Sequence, residues 1–255
     1  MEIIDLSTPM EVNKGEPAKF KMQQIGHREG AQQFSENVCK DQYLLRSADL
    51  PNEEFLNLDI ITASTHTGTH IDAPFHYGSQ YNGKRLATID ELPLEWFWGN
   101  GVILDFTKKK CGTSISKSDI LDAEKQIQYK IQKDDVILIR TGADQYWGTE
   151  KYFDHFPGLD RTGVEEIVAR GVHLIGTDAY SLDRPFSNML KDFQTYQNAS
   201  YLFPAHFFGR EKPYCQVERL ANLDRLKPFG FYVACFPIKI TGAGAAWTRA
   251  VAIYI

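Results

Sequence analysis

The stretch "DDVILIRTG" at residues 134–142 carries four consecutive apolar residues between acidic residues and a Thr-Gly turn signal. A short apolar run bounded by turn residues predicts a buried β-strand. Two similar runs lie on either side of it, "GVILDF" at 101–106 and "VHLIGTD" at 172–178. The segments between the three runs, 116–132 and 161–171, are predicted helices. Strands that alternate with helices predict a parallel sheet joined by crossover connections.

Both predicted helices carry start or stop signals. Four apolar residues of the first helix recur at spacings near three to four, as one helix face requires: Ile120, Leu121, Ile127 and Ile131. Ser116 or Ser118 can cap the start of this helix. In the second helix, Thr162 and Glu165 form a predicted capping box, and Gly171 suits a left-handed C-terminal cap.

The remaining segments extend the sheet. Residues 232–240 and 250–255 predict two late strands around a turn at "TGAGAA", 241–246. The first hundred residues are less regular and contain short β-like pieces such as "LDIITAST" at 58–65. No linker, internal repeat or low-complexity tract interrupts the chain. The predicted architecture is one α/β domain over residues 1–255, with mixed β-sheets, crossover helices and a β-rich N-terminal portion.

Composition and charge argue against several classes of function. The chain has 255 residues, of which 43% are hydrophobic and 24% are charged, the balance of an ordinary globular protein. A chain of this length buries enough apolar surface to fold without disulfides or a structural metal. The formal net charge is -5, and Lys108, Lys109 and Lys110 form the only basic run. We therefore expect no nucleic-acid partner.

The sequence predicts a soluble cytoplasmic protein without a membrane partner. Its N-terminus, "MEIIDLSTPM", lacks the basic lead and apolar core of a secretory signal. The longest apolar run, at 231–238, is too short to span a bilayer. The cysteines are sparse and form no CxxC pair, which favours a reducing compartment: Cys39, Cys111, Cys215 and Cys235.

A second stretch, "ASTHTGTHIDAPFHYG" at 63–78, concentrates three of the seven histidines and one aspartate. Its β-branched residues, internal glycine and proline disfavour a helix and predict an extended or looped backbone. On a strand, His66, His70 and Asp72 share one face. Imidazole and carboxylate together suit Zn²⁺ or Mn²⁺. His76, which lies beyond the proline, can transfer protons near neutral pH.

The segment "HTGTHIDAPFH" at 66–76 resembles the HxGTHxDxPxH signature of the cyclase family of metal-dependent hydrolases, and the resemblance extends over nearly the whole chain. It implies a swivelling β/β/α-like fold. It also implies that one metal is bound by His66, His70 and Asp72, and that Asp72 bridges to a second metal. Two residues far along the chain complete that second site in the family pattern, His206 and Glu218. The last histidine of the signature, His76, is the implied general acid/base.

The resemblance also implies an activity and its cofactors. The expected reaction is hydrolysis of a C–N amide bond, as in a kynurenine formamidase that converts N-formylkynurenine to kynurenine and formate. The implied cofactor is Zn²⁺, with Mn²⁺ as the alternative, at one or two ions per chain. The substrate is then a small aromatic amide, and the protein a homodimer or homotetramer. Since the chain is longer than the compact formamidases, a cyclic-amide or lactone hydrolase of the isatin type is the alternative.

Other residues are candidates for supporting roles. Abundant aromatic side chains could line an aromatic pocket, notably Tyr146, Trp147, Trp96, Trp98 and Phe75. Asp178, Ser181 and Asp183 follow the third predicted strand, where α/β sheets often face a ligand. The remaining histidines are expected to be structural or exposed: His27, His155 and His173.

Two rival classes of function remain open. A non-catalytic metal-binding module would have a closed coordination shell or no proton shuttle, and the presence of His76 argues against it. A dinucleotide-dependent oxidoreductase is suggested by "GAGAAW" at 242–247. In that motif the third glycine is replaced by Trp247 and no helix is predicted to follow, so the match fails.

Overall fold

A computed structural model describes residues 1–14, 16, 20–38 and 45–255. Its contacts divide the chain into two compact units, one formed by Met1–Pro17 with Thr65–Ile255 and the other by Ala18–Ser64. The organisation of residues 1–255 as a single domain stays a prediction.

The described residues form fifteen strands and six α-helices. The strands are β1 (Glu2–Asp5), β2 (Lys21–Ile25), β3 (Leu58–Thr62), β4 (His70–Asp72), β5 (Gln80–Tyr81), β6 (Lys84–Arg85), β7 (Trp98–Asp105), β8 (Ser114–Ile115), β9 (Val136–Arg140), β10 (Gly158–Leu159), β11 (Leu174–Thr177), β12 (Cys215–Glu218), β13 (Phe231–Ala234), β14 (Ala245–Trp247) and β15 (Val251–Tyr254). The helices are α1 (His27–Val38), α2 (Pro74–Tyr77), α3 (Lys117–Ile127), α4 (Arg161–Val168), α5 (Phe186–Tyr196) and α6 (Pro204–Glu211).

The larger unit is built on a nine-stranded mixed sheet with the order β1-β15-β13-β7-β9-β11-β12-β4-β14. Three consecutive pairings in this order are parallel: β7 with β9, β9 with β11, and β11 with β12. The other pairings in the sheet are antiparallel. The predicted α/β class with a mixed sheet and crossover helices is confirmed.

The parallel strands are buried on both faces, as parallel strands usually are. Along β9, Ile137 and Ile139 pack with residues of α3 and α4 in one apolar cluster. Val136 and Leu138 point to the opposite face and join a second cluster with residues of β12 and β13. This two-sided burial explains why the strand sequence is continuously apolar.

The helices depart from the prediction in the end of α3 and in the capping residue of α4. α3 ends at Ile127, five residues before the predicted end, because Gln128 adopts a left-handed conformation (φ 54°) and terminates the hydrogen-bond ladder. Ser116, not Ser118, is its N-cap residue. The predicted capping box at Thr162 is wrong. The Asp160 side chain caps α4 instead, because it accepts hydrogen bonds from the backbone N–H groups of Thr162 and Gly163. Gly171 is left-handed, as predicted (φ 85°).

The C-terminal strands also differ from the prediction. β13 ends at Ala234, and Pro237 lies within the predicted strand 232–240 without a backbone N–H to donate. The predicted turn at 241–246 is shorter than expected, since β14 begins at Ala245 and pairs with β4.

The smaller unit contains the antiparallel pair of β2 and β3 and the helix α1, which lies between them in sequence. The predicted β-like character of residues 58–65 is therefore found in β3. Among the described cysteines, Cys111 is exposed, Cys215 and Cys235 are buried, and all three are free thiols. Cys39 lies outside the described residues. None of the helices in the described ranges combines the length and apolar character that a membrane crossing requires.

Candidate active site

β4 carries two of the candidate ligands and is the second strand from one edge of the sheet. It lies between β12 and β14, and its register places His70 opposite Glu218 on β12. Ile71 belongs to one apolar cluster of the core, so the alternation of a strand directs its neighbours His70 and Asp72 to the other face. The predicted shared face of His70 and Asp72 is confirmed, and Glu218 joins them through strand pairing.

His66 reaches the same place by a different route from the one predicted. It lies in a turn before β4 and not on an extended strand, because Gly68 adopts a left-handed conformation (φ 62°) that reverses the chain. The carbonyl of Gly68 lies 2.8 Å from Nδ1 of His70. That contact leaves Nε2 of His70 directed toward Asp72.

His76 and His206 are supplied by two short helices that pack closely. His76 lies on α2 and His206 on α6. A Cβ atom at Gly209 of α6 would lie 2.4 Å from the ring of Tyr77 on α2, so glycine permits this approach. The ring centroid of His76 lies 4.3 Å from that of His66 and 5.6 Å from that of His206.

The five predicted metal ligands form one compact cluster. Nδ1 of His66 lies 2.9 Å and Nε2 of His70 3.4 Å from Oδ1 of Asp72. Nε2 of His206 lies 3.8 Å from Oδ2 of Asp72 and 3.8 Å from Oε1 of Glu218. Nε2 of His70 lies 3.7 Å from Oε2 of Glu218. Two ligand atoms about 2.1 Å from one ion at a tetrahedral angle are about 3.4 Å apart, so these separations suit shared ions.

Two overlapping groups, one of which combines His76 with residues of the cluster, have suitable ligand atoms within 4.8 Å of one another. One contains His66, Asp72 and His76, and the other contains His70, Asp72 and Glu218. Asp72 is common to both, which is the position of a bridging carboxylate.

Unsatisfied polar atoms test whether this cluster suits a metal. Nε2 of His70 and both carboxylate oxygens of Asp72 are buried and make no hydrogen bond within the described part of the chain. Buried polar groups are nearly always paired, because an unpaired one costs about 1–3 kcal/mol. The donor set, three imidazoles and two carboxylates, is the chemistry that zinc and manganese prefer.

Burial and neighbouring groups shift the pKa values of three residues in the cluster. Burial lowers the pKa of His70 to about 3, so its ring is neutral and presents a lone pair. Burial and the neighbouring Asp72 raise the pKa of Glu218 to about 7. Burial opposes protonation of His206, yet its hydrogen bond to Asp183 raises its pKa well above the ordinary value. A bound cation would favour the charged Glu218 and the deprotonated His206.

A pocket of about 450 Å³ opens onto the cluster. Its described walls are largely apolar and include five aromatic rings: Phe153, Phe156, Tyr180, Phe186 and Phe203. His76 opens onto this pocket and is exposed to it, and partial desolvation together with the neighbouring His66 and His206 lowers the pKa of its imidazole to about 4. The volume lies in the range typical of small-molecule sites.

The aromatic residues singled out in the sequence are not among the described residues of the pocket wall, which corrects that prediction. Trp96 stacks on His173 with ring centroids 4.4 Å apart, and Trp98 stacks on Tyr232. Tyr146 and Trp147 pack with a separate buried group around Tyr152. Phe75 belongs to α2, where its N–H donates to Ala87. Aromatic content indicates that rings are available, but only the fold decides which of them face the ligand.

The three polar candidates after β11 have distinct positions. Asp178 is buried and accepts hydrogen bonds from the backbone and hydroxyl of Thr141 and from the N–H of Gly142. Ser181 lines the pocket. Asp183 is fully buried, and its Oδ2 lies 2.5 Å from Nδ1 of His206.

The other histidines lie in structural or exposed positions. The Nδ1 atom of His27 contacts the carbonyl of Phe55 at 2.7 Å within the smaller unit. His155 packs edge-on to Tyr146, and His173 stacks on a tryptophan as described above. The glycine-rich segment 242–247 ends in β14 with no helix after it, so the dinucleotide-binding reading is wrong.

Comparison with known proteins identifies the family of the chain. The Cyclase family model matches residues 4–184. A kynurenine formamidase from Geobacillus thermodenitrificans is 30% identical over 199 residues, which cover 76% of this chain and 79% of that protein. Cyclase-like protein 1 of Arabidopsis thaliana is 27% identical over 240 residues, or 91% of this chain and 85% of that protein.

A solved structure shows the same fold. Isatin hydrolase A from Ralstonia solanacearum superposes with a TM-score of 0.74 over 100% of this chain and 92% of that chain, at 21% identity. The resemblance predicted from residues 66–76 is confirmed, and this chain belongs to the Cyclase family of metal-dependent hydrolases.

Proposed function

We propose that this chain hydrolyses a C–N amide bond in a small aromatic substrate, in the manner of a kynurenine formamidase. The observation that carries the proposal is the cluster of buried, unsatisfied His and Asp ligand atoms at the base of an aromatic pocket. The named relatives act on amide-type substrates, as a formamidase and an isatin hydrolase, and their likeness to this chain supports the same class of reaction.

The metal ligands in this proposal are the five clustered side chains: His66, His70, Asp72, His206 and Glu218. They would hold one or two ions, zinc in the first place and manganese as the alternative. Such an ion, when bound, polarises a carbonyl and makes water more acidic.

His76 is the proposed proton-transfer residue. It faces the pocket beside the cluster, and its depressed pKa keeps the ring neutral at neutral pH. A neutral imidazole can accept a proton from water as it attacks the amide carbon. The same ring, once protonated, can donate that proton to the leaving nitrogen.

The pocket favours an uncharged aromatic group. Two arginines line it, but each guanidinium already pairs with a carboxylate of the chain: Arg184 with Asp192 at 2.7 Å and Arg219 with Glu16 at 2.6 Å. Among the lining residues that the structure describes, these paired arginines are the only permanent cations. This observation gives weight to the alternative of a neutral cyclic amide or lactone of the isatin type.

The remaining features of the proposal come from the family resemblance. We expect a homodimer or homotetramer located in the cytoplasm. A non-catalytic metal-binding module is the alternative of another class, and turnover distinguishes it from a hydrolase.

The test is hydrolysis of N-formylkynurenine and of isatin by zinc-loaded protein, with His76→Ala and the control His155→Ala assayed in parallel. We expect turnover of at least one substrate, a loss of about 10²-fold or more in His76→Ala, and no loss in the control. Full activity in His76→Ala would remove its proposed role. A zinc-loaded protein inactive on both substrates would contradict the proposed reaction.

A further inference from the structure

We propose that Asp183 is a positioning residue that fixes the ring of His206, so that Nε2 and not Nδ1 faces the metal cluster. The inference rests on the proposed function, because it assigns His206 to a metal site. Asp183 is not one of the five proposed metal ligands. It would affect the metal site only through its contact with His206.

The contacts of Asp183 are those of a rigidly held acceptor. Its side chain is fully buried, and Oδ2 lies 2.5 Å from Nδ1 of His206. Oδ1 accepts a hydrogen bond of 2.7 Å from the N–H of Ala205, and Oδ2 accepts one of 3.2 Å from the N–H of His206. The carboxylate thus binds both the ring and the backbone of the same histidine.

These contacts determine which ring nitrogen carries hydrogen. A carboxylate offers only acceptors, so Nδ1 of His206 must be the N–H that donates to Asp183. In the neutral ring, which is the form that a bound cation would favour, the lone pair is then on Nε2. That atom is the one that lies 3.8 Å from both Asp72 and Glu218, too far for hydrogen bonds to either. A carboxylate behind a ligating histidine commonly fixes its tautomer and orientation in this way.

The neighbouring residue holds a second ligand from the same segment. The backbone N–H of Leu182 donates a 3.0 Å hydrogen bond to Oε1 of Glu218. Consecutive residues therefore fix the two ligands that lie farthest along the chain. The segment itself is anchored, since the carbonyl of Leu182 accepts from the N–H of Leu159 at 2.8 Å.

A purely structural role for Asp183 has to be distinguished from positioning, because the same carboxylate also accepts from N–H groups at the start of α6. Asp183→Asn separates the two roles. The amide oxygen can still accept from Ala205, as asparagine does in helix caps. The amide NH₂ group is a donor, so it would face Nδ1 as a donor and favour the tautomer with hydrogen on Nε2.

The experiment measures Zn²⁺ affinity by competition with a chelator in the full chain. Four proteins form a double-mutant cycle: wild type, Asp183→Asn, His206→Ala and the combined variant. Asp160→Asn is the matched control, because Asp160 accepts two backbone hydrogen bonds at the start of α4 and is not among the clustered residues. The free energy of unfolding of each metal-free protein is measured alongside.

We expect Asp183→Asn to weaken zinc binding about 10- to 100-fold, the usual effect of losing such a partner. In the His206→Ala background the same substitution should weaken it no further, since the two changes act through one ring. Asp160→Asn should leave zinc affinity unchanged and change stability little, since asparagine caps a helix about as well as aspartate.

Three results would contradict the proposal for Asp183 or the function on which it rests. Wild-type protein that fails to bind zinc would remove the proposed function itself. Zinc-binding wild type with unchanged affinity in Asp183→Asn would overturn the inference alone. Equal weakening with and without His206 would show that Asp183 acts through the fold and not through this ring.

Discussion

His70 and Glu218 lie directly opposite each other on the paired strands β4 and β12, with Nε2 of His70 3.7 Å from Oε2 of Glu218. Both residues are buried, and suitable atoms of His70, Asp72 and Glu218 lie within 4.8 Å of one another. Two carboxylates this close repel each other in a buried site. A cation between them would offset that repulsion, so the register of β4 and β12 places an ion-binding position near one edge of the sheet.

Glu218→Gln should separate metal affinity from stability. The variant keeps the shape of the side chain but replaces a charged ligand with a neutral, weaker one, so zinc affinity should fall about tenfold or more. The metal-free variant should be at least as stable as wild type, because one of two neighbouring buried charges is gone. Chelator competition and urea unfolding measure the two effects. Glu165→Gln, on the exposed surface of α4, should change neither. Unchanged zinc affinity in Glu218→Gln would exclude Glu218 as a ligand.

Glu16→Gln should destabilise the larger unit strongly. Oε2 of Glu16 accepts from Arg219 at 2.6 Å and from the N–H of Gly68 at 2.9 Å, and both charged side chains are almost completely buried. Removing one partner of a buried ion pair leaves an uncompensated charge and costs about 3–5 kcal/mol. Urea unfolding should show this loss. Asp122→Asn, which breaks the exposed pair with Lys125, should cost about 1 kcal/mol or less. Equal losses in the two variants would refute the buried-pair account.

Gly209→Ala should disturb the contact between α6 and α2. The new methyl group would lie 2.4 Å from the ring of Tyr77, which is buried and cannot move aside. Overpacking of this kind costs about 1–3 kcal/mol. Because the two helices carry His206 and His76, we expect kcat/KM to fall together with the free energy of unfolding. Gly83→Ala is a useful comparison, since a Cβ there meets no neighbouring atom, although its positive φ adds some strain. A fully stable and active Gly209→Ala protein would contradict the packing argument.

Asp178 should make stability depend on pH in the neutral range. Burial raises the pKa of its carboxyl to about 7, even though hydrogen bonds from Thr141 and Gly142 favour the charged form. Between the unfolded value near 3.8 and about 7, the folded protein holds a proton that the unfolded chain has released. The contribution of this group to stability is therefore complete below about pH 4 and is lost as pH rises through 7.

The measurement is the free energy of unfolding of wild type and Asp178→Asn at pH 5.5 and pH 8. The variant should be less stable than wild type, because its NH₂ group would oppose a backbone donor, and the deficit should shrink as pH rises. A deficit that is constant across this range would show that Asp178 does not titrate there.

The core of the fold could be predicted from short segments because each parallel strand is buried on both faces and reads as an apolar run. β14 could not be predicted, because "AAW" carries no strand pattern. It forms a strand through its pairing with β4. The capping residue of α4 is predicted wrongly because Thr162 and Asp160 can both cap a helix, and the hydrogen bonds of the folded chain favour the Asp160 carboxylate.

The site could be predicted in part for similar reasons. His66, His70, Asp72 and His76 lie within eleven residues, so their proximity is visible in the sequence. His206 and Glu218 have no local signal, and only the family resemblance pointed to them. The role of Asp183 depends on the meeting of α6 with the loop after β11, which no spacing along the chain encodes.

The most direct measurement of the central claim is the metal content of the chain. Protein purified without chelator, and a sample incubated with Zn²⁺ and then desalted, would be analysed for metals alongside Asp72→Ala. The account predicts one or two zinc or manganese ions per chain in wild type, and a clear loss in Asp72→Ala, because Asp72 belongs to both groups of candidate ligands. Wild-type protein that carries no metal and takes up none would contradict the claim that this cluster is a metal centre.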